Sequence, residues 1–221
     1  MAGNNLNTLY RKRLVDPRMK EGIREPLYDF LTYDSAATLQ LKFFQTQVGG
    51  TKTKSDTNMP LNGQLPAGQK FVAQTLELHF MPGSNAGSYV RQAPVQSATA
   101  LAAPNFANDV WALVNQGWLE VTVGTKQYLT APLIAFPSSS GLVVQAAIGL
   151  EAVAAAAAAI ENQITVDYAR LGGRVFQFTP EVPIEPQTNF DVTLNWPAAV
   201  TLPSGFDARI GVSLGGVRFR N

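Results

Sequence analysis

His79 and Glu77 are the two side chains whose spacing most directly suggests chemistry. They stand two residues apart, and in a strand that spacing places both on one face, where an imidazole and a carboxylate could share a proton or a metal ion. However, His79 is the only histidine in 221 residues, and the sequence has no cysteine. Protein metal sites usually combine several imidazole, thiolate or carboxylate ligands, and thiol catalysis needs a cysteine. We therefore interpret His79 as a structural or surface residue and expect no catalytic residue, metal site, cofactor or small-molecule substrate, so that the protein is not an enzyme.

The segment 49–69 carries other residues that could bind an ion. Its GGTKTK stretch is rich in glycine, but it lacks the GxxxxGK[ST] spacing of a phosphate-binding loop and follows no βα unit. Asp56 and Asn58 could bind calcium, yet no EF-hand spacing is present, and Asx side chains commonly form turns. The composition of this segment therefore predicts a long surface loop.

Tryptophan is the remaining candidate for ligand binding. Trp111 and Trp118 could form a platform for a sugar ring, because indole faces stack on apolar surfaces. Trp196 alternates with Leu194 and Val192, so it is predicted to lie in the core. A carbohydrate-binding role through the other two indoles stays open.

Charged residues are scarce in this chain. They make up 15% of the residues, against 46% hydrophobic residues, whereas an ordinary soluble domain has about 25% charged residues. We therefore expect that much of the surface does not face free water. The formal net charge of +1 gives no overall attraction to nucleic acid. The N-terminal residues lack the apolar stretch of a secretory signal.

Basic residues concentrate near the N-terminus. Residues 1–35 are interrupted by Pro17 and Pro26 and show no strand-like alternation, so we expect an extended or partly helical arm. The basic residues of this predicted assembly arm are Arg11, Lys12, Arg13, Arg18, Lys20 and Arg24. The arm could contact a neighbouring subunit, nucleic acid or a membrane, or it could be a solvated stretch; the acidic residues that follow argue against specific nucleic-acid binding.

Residues 36–221 are predicted to form one all-β domain. Apolar and polar residues alternate in runs that are bounded by glycine and proline, which is typical of strands. The predicted strands cover 39–43, 72–80, 119–123, 128–136, 175–178 with 182–184, 190–196, and 208–214 with a continuation to 217–220 after a bend at Gly215-Gly216. About eight strands with long connections favour a two-sheet sandwich.

Two further segments interrupt the strand pattern. Residues 83–108 are predicted to form a long loop that could carry a short helix. Residues 141–163 include six successive alanines at 154–159, which predicts a helical insertion because alanine has the highest helix propensity. Its length would admit a membrane span, but Glu151 falls near the centre, so we favour a helix that packs closely against protein.

This layout resembles the single jelly-roll capsid proteins of icosahedral viruses, and most closely the major capsid proteins of tailless bacteriophages. The features that carry the resemblance are the basic arm, about eight strands, long loops, a helical insertion between the fourth and fifth strands, and the strand-loop-strand stretch at 43–83. The resemblance implies an eight-stranded jelly-roll sandwich. A chain of 221 residues is short for a double roll, so one roll per subunit is expected.

The resemblance implies a structural role in the virion, with assembly in the host cytoplasm. The expected partners are copies of the same chain in capsomers and shell, other capsid proteins such as a penton, and the genome or an internal membrane through the arm. Repeated identical contacts would account for the low charge. The alternative function is a carbohydrate- or receptor-binding β-sandwich, such as a phage adhesin or a lectin-like module.

Overall fold

The computed structural model describes residues 21–34, 38–83, 106–136, 143–148, 162–167, 175–203 and 205–220. This part of the chain forms eleven strands and one α-helix. In chain order they are β1 (Glu21–Arg24), β2 (Leu27–Tyr33), β3 (Gln40–Phe43), β4 (Gln69–Met81), α1 (Phe106–Gln116), β5 (Trp118–Val123), β6 (Lys126–Pro132), a 3-10 turn (Leu133–Ala135), β7 (Val143–Ile148), β8 (Asn162–Asp167), β9 (Phe176–Ile184), β10 (Phe190–Asn195) and β11 (Ala208–Arg220).

Nine of these strands form two antiparallel sheets that pack as a sandwich. Sheet 1 has the order β1-β11-β4-β9, and β2 pairs with the first half of β11 beside β1. Sheet 2 has the order β3-β10-β5-β6. Four of the pairings are nested along the chain: β2 with β11, β3 with β10, β4 with β9, and β5 with β6. The remaining two strands, β7 and β8, pair with each other in a separate hairpin.

The core lies between the two sheets and is built by alternating apolar residues. The inward residues of β11 and of its neighbour β4 are buried: Ala208, Ile210, Val212 and Leu214 on β11, and Leu76, Leu78 and Phe80 on β4. The opposite sheet contributes Leu119, Val121 and Val123 from β5, and Val192 and Leu194 from β10. These are the faces that the alternation predicts, because burying one face of each strand is what pairs two sheets.

Two pairs of predicted strands each form one continuous strand in the structure. The predicted runs 175–178 and 182–184 belong to β9, and the runs before and after Gly215-Gly216 belong to β11. The predicted irregularity at these glycines is confirmed, because the register between β11 and β4 shifts there. A side chain at Gly216 would overlap the carbonyl oxygen of Val72, so the close approach of the two strands requires glycine.

The predicted arm is wrong for residues 21–33. They form β1 and β2, which pair with β11, and Leu27 and Tyr33 are fully buried. Asp29 occupies an inward position on β2. A charged residue therefore interrupts the apolar alternation, and the sequence pattern does not indicate a strand there. Arg24 ends β1, whereas the other basic residues of the predicted arm, Arg11, Lys12, Arg13, Arg18 and Lys20, lie outside the described residues.

The predicted helical insertion at 141–163 is wrong at both ends. Residues 143–148 form β7 and pair with β8, which begins at Asn162. Val143, Val144 and Ile148 are β-branched and favour strands, whereas the helix prediction rested on the alanines further along. Those alanines lie outside the described residues. With β1, β7 and β8, the described part of the chain exceeds the predicted eight strands.

The predicted loop at 49–69 contains no helix or extended strand before β4 begins at Gln69. It is not purely a surface loop, because Met59 and Leu65 are fully buried. In the predicted loop at 83–108, helix α1 begins at Phe106, and residues 84–105 lie outside the described part. Within the described ranges, no helix has the length and hydropathy needed to cross a membrane.

Candidate functional surfaces

His79 and Glu77 lie on the outer face of sheet 1, as the spacing predicts. The distance from His79 Nε2 to Glu77 Oε2 is 4.0 Å. The imidazole also packs against the Phe30 ring, with the ring centroids 5.8 Å apart. Phe30 pairs with Gly211, where any side chain would overlap its ring, so the glycine lets the aromatic ring lie across the sheet. Among the described residues, no group of three His, Cys, Asp or Glu side chains could hold a metal ion.

Asp56 uses its carboxylate to close a turn and hold an arginine. Its Oδ2 accepts hydrogen bonds from Thr53 N at 2.9 Å and Thr53 Oγ1 at 2.7 Å, and its Oδ1 lies 2.6 Å from Arg209 Nη2. These Thr53 hydrogen bonds, with a smaller contribution from Arg209, lower the pKa of Asp56. The Arg209 guanidinium also lies over the Phe30 ring, 4.7 Å from its centroid. The predicted turn role of Asp56 therefore extends to fastening the loop onto sheet 1.

The same loop covers the free edge of β2. Phe30 N donates to Asp56 O at 2.8 Å, and Asn58 N donates to Tyr28 O at 3.3 Å. The Asn58 side chain extends this contact, accepting from Tyr28 N at 3.0 Å and donating to Pro26 O at 2.7 Å. The backbone groups of β2 that face away from β11 are therefore partly paired, which protects an edge that could otherwise recruit another strand.

Asp29 anchors the start of this loop from inside the sandwich. Its side chain is fully buried; Oδ1 accepts from Lys52 Nζ at 2.6 Å, and Oδ2 accepts from Phe44 N at 2.7 Å. Phe44 has a φ of 67°, which is uncommon for a residue with a side chain. This site was not predicted from the sequence. Its only signal was an acidic residue at an inward position of an otherwise apolar alternation.

Arg24 is the one basic residue of the predicted assembly arm that lies among the described residues. It is exposed at the end of β1, and its Nη2 lies 3.4 Å from Gln74 Oε1. Gln74 also donates to Glu181 at 2.7 Å. A cleft of about 180 Å³ opens beside these side chains, lined by Arg24, Pro26, Gln74, Thr75, Gly215 and Gly216. Arg24 therefore lies on the outer face of sheet 1, beside the register shift at Gly215-Gly216.

The outer face of sheet 2 is polar and carries one indole. Trp118 Nε1 donates to Glu120 Oε1 at 3.0 Å, and on the neighbouring strand Thr193 Oγ1 donates to Asp191 Oδ1 at 3.1 Å. Lys42 lies on β3, on the other side of β10, and its Nζ forms an ion pair with Asp191 Oδ2 at 3.1 Å. We call this surface the Trp118 face.

Trp111 and Trp118, the two indoles that could form a sugar platform, lie on different elements, α1 and β5. Trp111 lies on α1 with 61% of its surface exposed, and the aromatic contacts of the described residues do not join it to Trp118. The prediction for Trp196 is confirmed: it is buried, donates from Nε1 to Leu113 O at 2.9 Å, and meets Tyr33 edge-on at 4.9 Å. Tyr33 in turn bonds both N and O of Val200 at 2.9 Å, and its burial raises its pKa.

Comparisons with protein-family models, with curated proteins and with solved structures found no significant match.

Proposed function

We propose that this protein is the structural subunit of an icosahedral viral capsid, of the bacteriophage type, built on an eight-stranded jelly roll. The observation that carries the proposal is the nested pairing of β2 with β11, β3 with β10, β4 with β9, and β5 with β6. A long antiparallel hairpin of eight strands has this nesting, and rolling it up brings the first and third pairs into one sheet and the second and fourth into the other. Such rolls are a common architecture of capsid subunits.

The three additional strands fit this scheme as additions to the roll. β1 extends the first strand of the roll along the second half of β11. The β7–β8 hairpin lies in the sequence between β6 and β9, which are the fifth and sixth of the eight nested strands. Insertions at such a connection leave the paired strands intact. The eight nested strands are therefore the proposed roll, and the rest decorates it.

The packing of the interior also supports a structural role. Apolar side chains from both sheets form one continuous core cluster, so the described inner faces meet each other. A jelly roll filled in this way presents its surfaces and loops to partners. The low charge of the chain agrees with extensive contacts to copies of itself and to other capsid proteins such as a penton, within a virion.

Assembly of the purified protein tests the proposal. We expect electron microscopy and sedimentation velocity to show capsomers or closed particles. Removing residues 1–20 should leave a folded sandwich, because β1 begins at Glu21, and should impair closure by deleting arm contacts to a neighbour, the genome or an internal membrane. Removing residues 1–10 is the matched control, because that segment contains no lysine or arginine. A full-length protein that stays small at high concentration would contradict the proposed function.

The Trp118 face favours a second candidate, a carbohydrate- or receptor-binding module. Sugars are recognised by an aromatic face together with fixed polar groups. On this face Trp118 is fixed by its hydrogen bond to Glu120 and is paired in register with Asn195. Under this candidate, the full-length protein binds a glycan in an array, and Trp118→Ala abolishes the signal. Trp111→Ala, which removes an exposed indole outside this face, should not.

A further inference from the structure

Two arginines lie on the inward-facing row of β11, where an apolar residue would be expected. Arg218 pairs in register with Phe71, and Arg220 with Gln69. Phe71 is a fully buried member of the core, and residues paired in this way project on the same side of the sheet. Arg218 itself is only 5% exposed. The end of sheet 1 therefore holds a buried cation beside the core.

The guanidinium of Arg218 is only partly satisfied. Its Nη1 lies 3.3 Å from Glu25 Oε2, whereas its Nε and Nη2 are buried and have no hydrogen-bond partner among the described residues. Nε and Nη2 form one edge of the guanidinium, and this edge is the fork that binds a carboxylate with two parallel hydrogen bonds. Glu25 occupies the other nitrogen. This edge therefore has the geometry that binds a carboxylate with two hydrogen bonds.

The charges around the fork do not balance. Arg220 Nη2 lies 3.7 Å from the same Glu25 oxygen, so two guanidinium groups share one carboxylate. Arg220 Nε and Gln69 Oε1 are also buried without partners. Glu21 is paired in register with Arg220 but is exposed and forms no ion pair with it. Lys70 does not contribute, because it is bonded to Glu185 at 2.6 Å and alternates with Phe71 onto the other face. Among the described residues, two guanidinium groups and one carboxylate leave one positive charge without a counter-charge.

We propose that Arg218 and Arg220 form a binding site for one carboxylate group, which accepts two hydrogen bonds from Nε and Nη2 of Arg218 and one from Nε of Arg220. A single carboxylate matches the single surplus charge and the planar fork. The side chains of Glu25 and Arg220 are 36% and 40% exposed, so they are free to move aside and admit it. Rotating the Gln69 amide by 180° would add an N–H donor at the rim.

The carboxylate has two sources, a small dissolved acid or an acidic side chain of a second copy. The second source rests on the proposed function. Both can be followed through the Nε–H signal of Arg218 in NMR spectra of ¹⁵N-arginine-labelled protein, with Arg209 as the internal control because its guanidinium already binds Asp56. In the first arm, unassembled protein is titrated with sodium acetate. In the second arm, the signal is compared before and after assembly without added acid.

We expect the Arg218 signal to shift saturably in one of the two arms while the Arg209 signal stays in place. Arg220→Gln should weaken acetate binding about tenfold, which corresponds to one charge-assisted hydrogen bond, while unfolding in urea checks that the variant remains folded. A shift with acetate identifies a small acid as a sufficient ligand, and this result holds even if no shell forms. A shift on assembly alone identifies the second copy. The proposal is overturned if Arg218 shifts in neither arm, or if inorganic phosphate binds more tightly than acetate.

Discussion

Replacing Asp29 should destabilise the protein more than any other single change in the loop contacts. In Asp29→Ala, Phe44 N loses its acceptor at 2.7 Å, and Lys52 Nζ loses its partner at 2.6 Å. The Lys52 side chain is only 12% exposed, so its charge remains largely buried. Removing one partner of a buried ion pair costs about 3–5 kcal/mol. For a chain of this size, that lowers Tm by roughly 6–20 °C, at about 2–4 °C per kcal/mol.

A double-mutant cycle measures how much of this loss belongs to the pair. Lys52→Met strands the carboxylate in the core and should also be strongly destabilising, whereas combining Asp29→Ala with Lys52→Met removes both charges and should cost clearly less than the sum of the single changes. Urea unfolding, followed by tryptophan fluorescence to which the buried Trp196 contributes, gives each free energy of unfolding. The reasoning is refuted if Asp29→Ala costs under about 1 kcal/mol, or if the two changes are additive.

Three further predictions concern separate features of the fold. Gly216→Ala should destabilise by about 1–3 kcal/mol because its side chain would overlap the Val72 carbonyl, while Gly50→Ala, which meets no atom nearby, should change urea unfolding by less than about 0.5 kcal/mol. The pKa of the Asp56 carboxyl is lowered on folding, so the ionised carboxylate stabilises the folded protein above its ordinary pKa of 3.8, and this stabilisation is lost as the pH falls through the folded pKa. The Tm difference between wild type and Asp56→Asn should therefore shrink from pH 6 to pH 3. A Tm difference that stays constant would contradict this. His79→Ala should leave particle assembly and metal content unchanged, as measured by electron microscopy and elemental analysis, and the loss of a stoichiometric metal would restore an enzymatic role.

The strands with a clear alternation were predictable from the sequence. In β4, β5, β10 and the first half of β11 the inward residues are nearly all apolar, so a period of two identifies both the strand and its buried face. β2 was not predictable in this way, because Asp29 is buried only by virtue of Lys52, which lies 23 residues further along the chain. A distant partner decides whether a charged residue faces the core, and a local pattern contains no information about it.

The inward positions of Arg218 and Arg220 were likewise not predictable from the local sequence pattern. Arg218 and Arg220 are the charged residues of the predicted strand continuation 217–220, and only the register with Phe71 and Gln69 places them on the inward row. The β7–β8 hairpin illustrates the opposite error. There, the high helix propensity of the alanines suggested a helix for a segment whose flanks pair as strands, because pairing with another strand overrides propensity.

The position of β11 within sheet 1 determines when, during protein synthesis, the subunit can complete its fold. β11 pairs with β1, β2 and β4, yet every other described strand leaves the ribosome before it. Until β11 is made, β4 lacks a neighbour on one side, and β1 and β2 have no described strand to pair with. A nascent chain therefore cannot close sheet 1 and present its finished surfaces to other copies. Under the proposed function, this order of synthesis separates translation from assembly, and products that terminate before residue 208 are excluded from the shell.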